Sequence, residues 1–285
     1  MGILEKLLGP NIQTLQLNGD VDALVELVGS DRAKIRRRAI DALAELDGPR
    51  VLQGIAPLIG HDDAGVAEIA RQKLLAAGDG ALPIVAGLLD DERPSIREGA
   101  LALLGTVDPP PLEQLIQCLQ QGSDWTRPAV AGRLVELLAH VDDDGREAVL
   151  GALRAAVGNK SPEVRILAAG TLAAEGDSRA AKALAAQLKD GTDEVREACA
   201  AALATLGEDA IPAIVTALGD RNPKARARVA ALLGEMGAAA KGDPPAELVD
   251  GLQRAATDGE ASVRDAALAS LKALDLDLPE EDAPN

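Results

Sequence analysis

Few side chains in this sequence are suited to chemistry, and their spacing argues against a reaction centre. Histidine occurs twice, as His61 and His140. Each lies in a polar connecting segment, and neither has a second ligand at a metal-binding interval, because His61 is followed by Asp62 and His140 by Val141. Cysteine also occurs twice, as Cys118 and Cys199. Their distance and apolar context predict core thiols, not a disulfide or a nucleophile. The run Asp142-Asp143-Asp144-Gly145 lacks the alternating oxygen ligands of a calcium loop and reads as a cap on the helix that follows. No catalytic, metal-ligating or cofactor-binding set is expected, and the chain is predicted not to be an enzyme.

What remains is arginine at a regular interval: Arg36, Arg97, Arg127, Arg165, Arg196, Arg226 and Arg264. Such a row could collect anions. A guanidinium paired with a turn aspartate would instead satisfy carbonyls and carboxylates at each connection, and this structural ladder is the preferred reading.

The elements that position the row repeat. Segments beginning at Ile35, Val66, Ile96, Thr126, Val164, Val195, Ala225 and Val263 share one pattern. With the first residue of each as position zero, position +8 is Leu in all eight, from Leu43 to Leu271, and +4 is small or β-branched. Position +1 is Arg except at Ala67. Positions 0, +4 and +8 fall on one side of an α-helix, so each segment predicts a helix with one buried stripe. Asp or Asn stands at −5 in five units (Asp91, Asn159, Asp190, Asp220, Asp258), and Pro at −2 in three (Pro94, Pro162, Pro223). Both are read as helix-start signals, the acid or amide as a capping side chain. A shorter first helix precedes each segment, as at Leu82 and Ile211. A period near 30 residues carrying two helices cannot bury its own apolar face and must stack on its neighbours, so the predicted fold is all-α, an α-solenoid of about eight hairpins.

Successive zero positions are 31, 30, 30, 38, 31, 30 and 38 residues apart. The two long steps are expected to hold loops bulging from the stack, around Asp142 and Asp243. The organisation read from this is a leader with a capping helix (1–19), an array (20–275) and an acidic tail (276–285). Within the array, units 1–4 occupy about 20–138, units 5–7 about 145–237 and unit 8 about 245–275.

Composition narrows the partners. Phe and Tyr are absent and Trp occurs once, so Leu, Ala, Val and Ile must build the core. Forty-six acids against 29 bases give a net charge of −17, which disfavours phosphate backbones and anionic lipid and favours a basic protein partner. No run of about 18 apolar residues predicts a membrane span. The N-terminus is interrupted at Pro10, too early for a secretory signal. A cytoplasmic monomer is expected.

The Asp…Pro-x-Val-Arg-x-x-Ala-Ala…Leu-Gly pattern resembles the HEAT repeat family over roughly residues 20–275, in particular short bacterial and archaeal repeats similar to those of phycobilin lyases. The resemblance implies a prokaryotic scaffold whose turn Asp and second-helix Arg bond from repeat to repeat. It also implies the alternative of a lyase or chaperone-like factor acting on a modified protein. The His-Glu pairs of HEAT-like di-iron hydroxylases are missing. Nucleic-acid binding, as in HEAT-like DNA glycosylases, is a further alternative resting on two basic spots, Arg32, Lys34, Arg36, Arg37 and Arg38 in unit 1 and Arg221, Lys224, Arg226 and Arg228 in unit 7. Without aromatics for stacking, and against the acidic background, it is disfavoured.

The preferred function is a protein-binding scaffold or adaptor that uses the concave surface of its second helices. Positions +3 and +6 lie opposite the core stripe and read Gly99, Ala102, Ala129, Gly132, Leu167, Gly170, Ala198 and Ala201 in units 3–6. Glycine inside a helix is unfavourable by about 0.5–1 kcal/mol relative to alanine, so either a partner approaches closely here or the helices pack tightly on one another. Trp125, beside this strip, is either a binding anchor or a plug for the joint between units 4 and 5. Circular dichroism should give more than about two thirds helix, and small-angle scattering of a compact globule would contradict the repeat reading.

Overall fold

A computed structural model describes residues 11–190, 192–240 and 242–278; residues 1–10 of the leader and 279–285 of the acidic tail lie outside the described residues. The described residues form helices and turns with no strand. They belong to two compact units, Met1–Val141 and Asp142–Asn285.

The first unit opens with α1 (Ile12–Leu17), capped by the Asn11 side chain on the Thr14 amide. Four hairpins follow, each a first helix A and a second helix B. Hairpin 1 is α2 (Val21–Val28) with α3 (Ala33–Ala44), and hairpin 2 is α4 (Pro49–Ile55) with α5 (Ala64–Ala76). Hairpin 3 is α6 (Leu82–Gly87) with α7 (Pro94–Leu104), and hairpin 4 is α8 (Leu112–Gln121) with α9 (Thr126–Leu137). The second unit carries hairpin 5, α10 (Asp143–Ala156) with α11 (Pro162–Ala174), and hairpin 6, α12 (Ala181–Ala186) with α13 (Asp193–Leu206). It ends with hairpin 7, α14 (Ile211–Ala217) with α15 (Pro223–Ala239), and hairpin 8, α16 (Ala246–Ala255) with α17 (Ala261–Ala273).

The repeated pattern is the core. The eight leucines at +8 are at most 1% exposed, as are all eight residues at +4. Position zero is buried from hairpin 2 onward, with Thr126 among the apolar residues; Ile35 in hairpin 1 is half-buried. A helices add pairs four apart, such as Leu115 and Leu119 or Leu248 and Leu252. Within each unit successive B helices lie side by side, α3 on α5, α11 on α13 and α15 on α17. The last pair lies in close contact at Gly234, where an added Cβ would sit 2.5 Å from Ser270 Cβ; the Ser270 hydroxyl donates to the Ala230 carbonyl at 3.1 Å. A side chain at 234 would force these helices apart.

The structure corrects two expectations about connections. The long steps are not bulging loops. The first lengthens an A helix, since α10 has 14 residues where α12 has six, and Asp142 caps it by accepting from the Gly145 amide at 2.8 Å. The second lengthens a B helix, since α15 runs 17 residues, leaving only a short connection before α16. Extra residues inside a helix gain hydrogen bonds and apolar contact that an exposed loop would forgo. The second correction concerns position −5, which does not cap the helix start. Asp91, Asn159, Asp190, Asp220 and Asp258 each accept from the amide two residues on, at 2.8–3.0 Å, closing an Asx turn just before the helix. Pro94, Pro162 and Pro223 then begin their helices, where a missing N–H leaves no bond unmade.

Asp193–Ala217 is long and apolar enough by composition to cross a membrane, but it is two helices broken at Gly207, whose φ is +65°. It also begins with Asp193, Glu194, Arg196 and Glu197.

Leu172 is fully buried and Leu17 is 82% exposed. Urea unfolding followed by circular dichroism should show Leu172→Ala destabilised by about 2–5 kcal/mol, through lost burial and the cavity left behind. Leu17→Ala should stay within about 0.5 kcal/mol of the parent.

Candidate functional site

At the start of each B helix except α5, the arginine at +1 turns back and donates Nη1 to its own connection. Arg36, Arg97, Arg165, Arg226 and Arg264 each reach the carbonyls of residues −5 and −4; the best-placed bonds are 2.7–3.0 Å. Arg127 and Arg196 make one such bond each, to the Gly122 and Asp190 carbonyls. These carbonyls end the preceding turn and have no helical partner, so the guanidinium supplies their missing donors.

The other edge of the guanidinium decides what joins one hairpin to the next. Arg36 reaches Asp63 at 2.9 Å, Arg165 reaches Asp190 at 3.2 Å, and Arg226 grips both oxygens of Asp258 at 2.8 Å. Each bond runs from one B helix to the turn of the following hairpin. Where the sequence departs, the rung changes. Hairpin 2 has Ala67 in place of arginine, and Asp91 is held by Arg93 of its own turn. Hairpin 4 has Gln121 where an aspartate would stand, and Arg97 lies over the Trp125 ring instead, 4.8 Å from its centroid. Arg127 and Arg196 pair locally, with Asp124 and Asp193, and Asp220 takes Lys189 at 2.9 Å.

The rung acids are biased towards ionisation. The Arg36 hydrogen bond holds the Asp63 carboxyl below its usual value, and the Arg226 hydrogen bond does the same for Asp258. Burial pushes Asp190 up, but the Thr192 and Arg165 bonds outweigh it and the net shift is downward. The Asn222 amide, then Lys189, lower Asp220.

A junction absent from the sequence reading joins hairpins 3 and 4. Asp90, at the end of the A layer, accepts from the Ser123 amide at 2.9 Å, and the buried Thr126 hydroxyl lies between it and the Leu89 carbonyl. The available signal was threonine at a zero position that is otherwise aliphatic.

The remaining chemistry-bearing residues do not converge. His61 Nδ1 accepts from the Asp63 amide at 2.9 Å, and His140 is exposed after α9. Burial raises the thiols of half-buried Cys118 and buried Cys199, the latter to about 11. Among the described residues no three His, Cys, Asp or Glu side chains could hold a metal ion.

Positions +3 and +6 fall on the B-helix side away from the buried stripe. In the first unit Gly99, Ala129 and Gly132 are half-buried and Ala102 is exposed; in the second, Gly170 and Ala201 are exposed and Leu167 and Ala198 half-buried. The glycines are not equivalent. A Cβ at Gly99 would lie 3.1 Å from the Ile59 carbonyl, so this glycine serves packing on hairpin 2. At Gly132 and Gly170 a Cβ would meet nothing within 4 Å. Trp125 is half-buried, and Arg97 of hairpin 3 lies over its ring. A recess of about 230 Å³ lies elsewhere, in the A layer of hairpins 6 and 7, where Lys182, Ala185, Thr216 and Asp220 are part of its wall.

Stacked two-helix hairpins joined by turn-to-helix arginine rungs define an α-solenoid. A family model described as HEAT repeats matches residues 112–204. Similar solved structures include importin beta in an ammonium sulfate condition, at 15% identity and TM-score 0.48, covering 88% of this chain and 39% of that one. A tumour overexpressed gene (TOG) domain array structure, concerned with tubulin recruitment by microtubule polymerases, matches at 12% identity and TM-score 0.46, with 93% and 79% covered. Human deoxyhypusine hydroxylase in complex with glycerol matches at 24% and 0.35, with 93% and 99% covered. A search of curated proteins finds no match.

Arg165 is 9% exposed and holds two turn carbonyls as well as Asp190. Arg165→Ala should lower stability by about 1–3 kcal/mol in urea unfolding, and an unmoved transition would return the row to anion binding. The rung carboxylates have folded pKa values below their ordinary 3.8. Their contribution is therefore complete above the unfolded value and is lost as pH falls through the folded ones. Thermal melts should change little through these groups between about pH 7 and 5 and lose stability below about pH 4, less steeply in Asp190→Asn.

Proposed function

We propose that the chain is a non-enzymatic protein-binding scaffold that presents the open face of its B helices to a helical segment of another protein. The observation that carries this reading is made in each unit separately, at Gly132 of the first and Gly170 of the second. Glycine weakens a helix, and tight packing explains Gly99, but no neighbour lies where a Cβ would stand at the other two positions. A partner helix lying close against the backbone supplies the reason that the chain itself does not. Exposed Glu98, Glu136 and Glu197 flank these faces and favour basic residues at the edges of the partner. Among the described residues no cluster of His, Cys, Asp or Glu favours the lyase reading.

The double variant Gly132→Leu, Gly170→Leu should keep its helicity, since both side chains enter open space and leucine is the better helix former. Calorimetric titration against the partner isolated by affinity capture should show affinity reduced at least about tenfold. Undiminished affinity with intact circular dichroism would move docking off this face. Reversing the three glutamates to lysine should slow association and flatten its salt dependence.

A further inference from the structure

One turn in the ladder is built like the others but has no arginine behind it. Hairpin 2 carries Ala67 at +1, and among the described residues no N–H or O–H donates to its turn carbonyls, those of His61 and Asp62. The turn has nevertheless kept its shape. His61 stands at −5 with φ −72° and ψ 140°, beside −62° and 144° for Asp91 and −54° and 149° for Asp190. Asp63, at −3, has φ −79° and ψ 106°, and Arg93 in hairpin 3 has −85° and 119°. The histidine takes the place of the usual aspartate. Its Nδ1 accepts from the amide two residues on, as the Asp91 carboxylate does from the Arg93 amide, both at 2.9 Å. Helix α5 begins at −2, as α7 does, so the backbone here is that of a complete unit.

Hairpin 3 shows what such a turn binds. Arg97 Nη1 donates to the Asp91 and Glu92 carbonyls at 2.9 and 3.0 Å, one nitrogen between two oxygens. With matching dihedrals, the His61 and Asp62 carbonyls converge in the same way on the space beyond the Ala67 methyl. Such carbonyls have no intrahelical donor, and every other unit places a guanidinium on at least one of them. Ala67 and His61 are half-buried and Asp62 is exposed, so the turn is open to a group from outside. Two cations at one turn are no obstacle. Asp190 takes Arg165 on its carboxylate and Arg196 on its carbonyl, and Asp258 does the same with Arg226 and Arg264. In hairpin 2 the carboxylate place is filled by Arg36 on Asp63, and the carbonyl place is the one left over. An acid also stands where the rung would end: Asp91, held by Arg93, whose side chain is 63% exposed. A pair that exposed exchanges partners readily.

We propose that the turn of hairpin 2 is a receptor for one arginine side chain of a partner protein, which completes the ladder from outside the chain. One nitrogen of the guest donates to the His61 and Asp62 carbonyls, and the other edge of its plane meets the Asp91 carboxylate as Arg93 swings away. A lysine ammonium can serve the carbonyls but has no second edge for the acid, so arginine is the ligand that fits. A site made of carbonyls and carboxylates offers acceptors alone, which excludes a phosphate. The net charge of −17 draws a basic partner towards it. The site lies at the turns and does not use the open B-helix face, so it holds or fails independently of the docking reading above.

The test uses the full chain and two fluorescently labelled Gly-Ser peptides, alike except for one central residue, Arg or Lys, so that their charge is equal. Anisotropy titrations should show the parent chain binding the Arg peptide at least about tenfold more tightly than its Lys twin. Ala67→Arg gives the turn a guanidinium of its own. That variant should melt at a higher temperature than the parent and bind the two peptides alike. Ala67→Met fills the same space without a donor and should also lose the preference. Equal binding of the twins by the parent, a preference that survives in either variant, or no binding of the Arg peptide at about 1 mM overturns the receptor. So does an Ala67→Arg chain whose Tm fails to rise, because the turn of hairpin 2 would then not accept a guanidinium as its neighbours do.

Discussion

A hairpin whose first helix can be as short as six residues has no interior of its own. Everything else in this structure answers that constraint. Each B helix must give its leucine stripe to a neighbour, and the neighbour must stand at a fixed spacing, so the connections between layers have to be as regular as the helices. Arginine at +1 provides the regularity. It ties the turn behind it through backbone carbonyls and, in the complete rungs, the turn ahead through an aspartate already folded onto its own backbone. The aspartate oxygen that closes the Asx turn in hairpin 6 is the same atom that receives Arg165. Turn shape and layer spacing are therefore set by one group.

The interruptions show what the rung requires. When arginine is missing at Ala67, the next aspartate turns to a local partner; when the aspartate is missing, Arg97 accepts an aromatic face. Hairpins 3 and 4 are fastened instead through exposed Asp90 and buried Thr126, a polar contact at the edge of the core. A stack of identical units would tolerate none of this. A stack of similar ones accommodates each exception with the nearest available donor or acceptor.

Fold and core were legible in the sequence because position +8 is leucine in every unit, and buried positions at helical spacing leave little freedom. The long steps were not, since Asp, Gly and Pro serve a helix end and a loop equally well; only the packing of α10 and α15 separated the two. The −5 residues were misread for a related reason. Asx turns and helix caps use the same side chains, and they differ only in whether the bonded amide belongs to the helix. For the open face, residue types alone left Gly99, Gly132 and Gly170 alike. Space around each backbone distinguishes them, and that depends on the neighbouring hairpin.

The single tryptophan has an optical consequence. With no tyrosine and no phenylalanine, the ultraviolet emission of the whole chain comes from one indole, held against Arg97 at the junction of hairpins 3 and 4. Fluorescence therefore watches one seam of the first unit and is blind to the second, while circular dichroism averages over both. Any lag between the two signals during melting measures how far loosening of one part of the array travels to the rest.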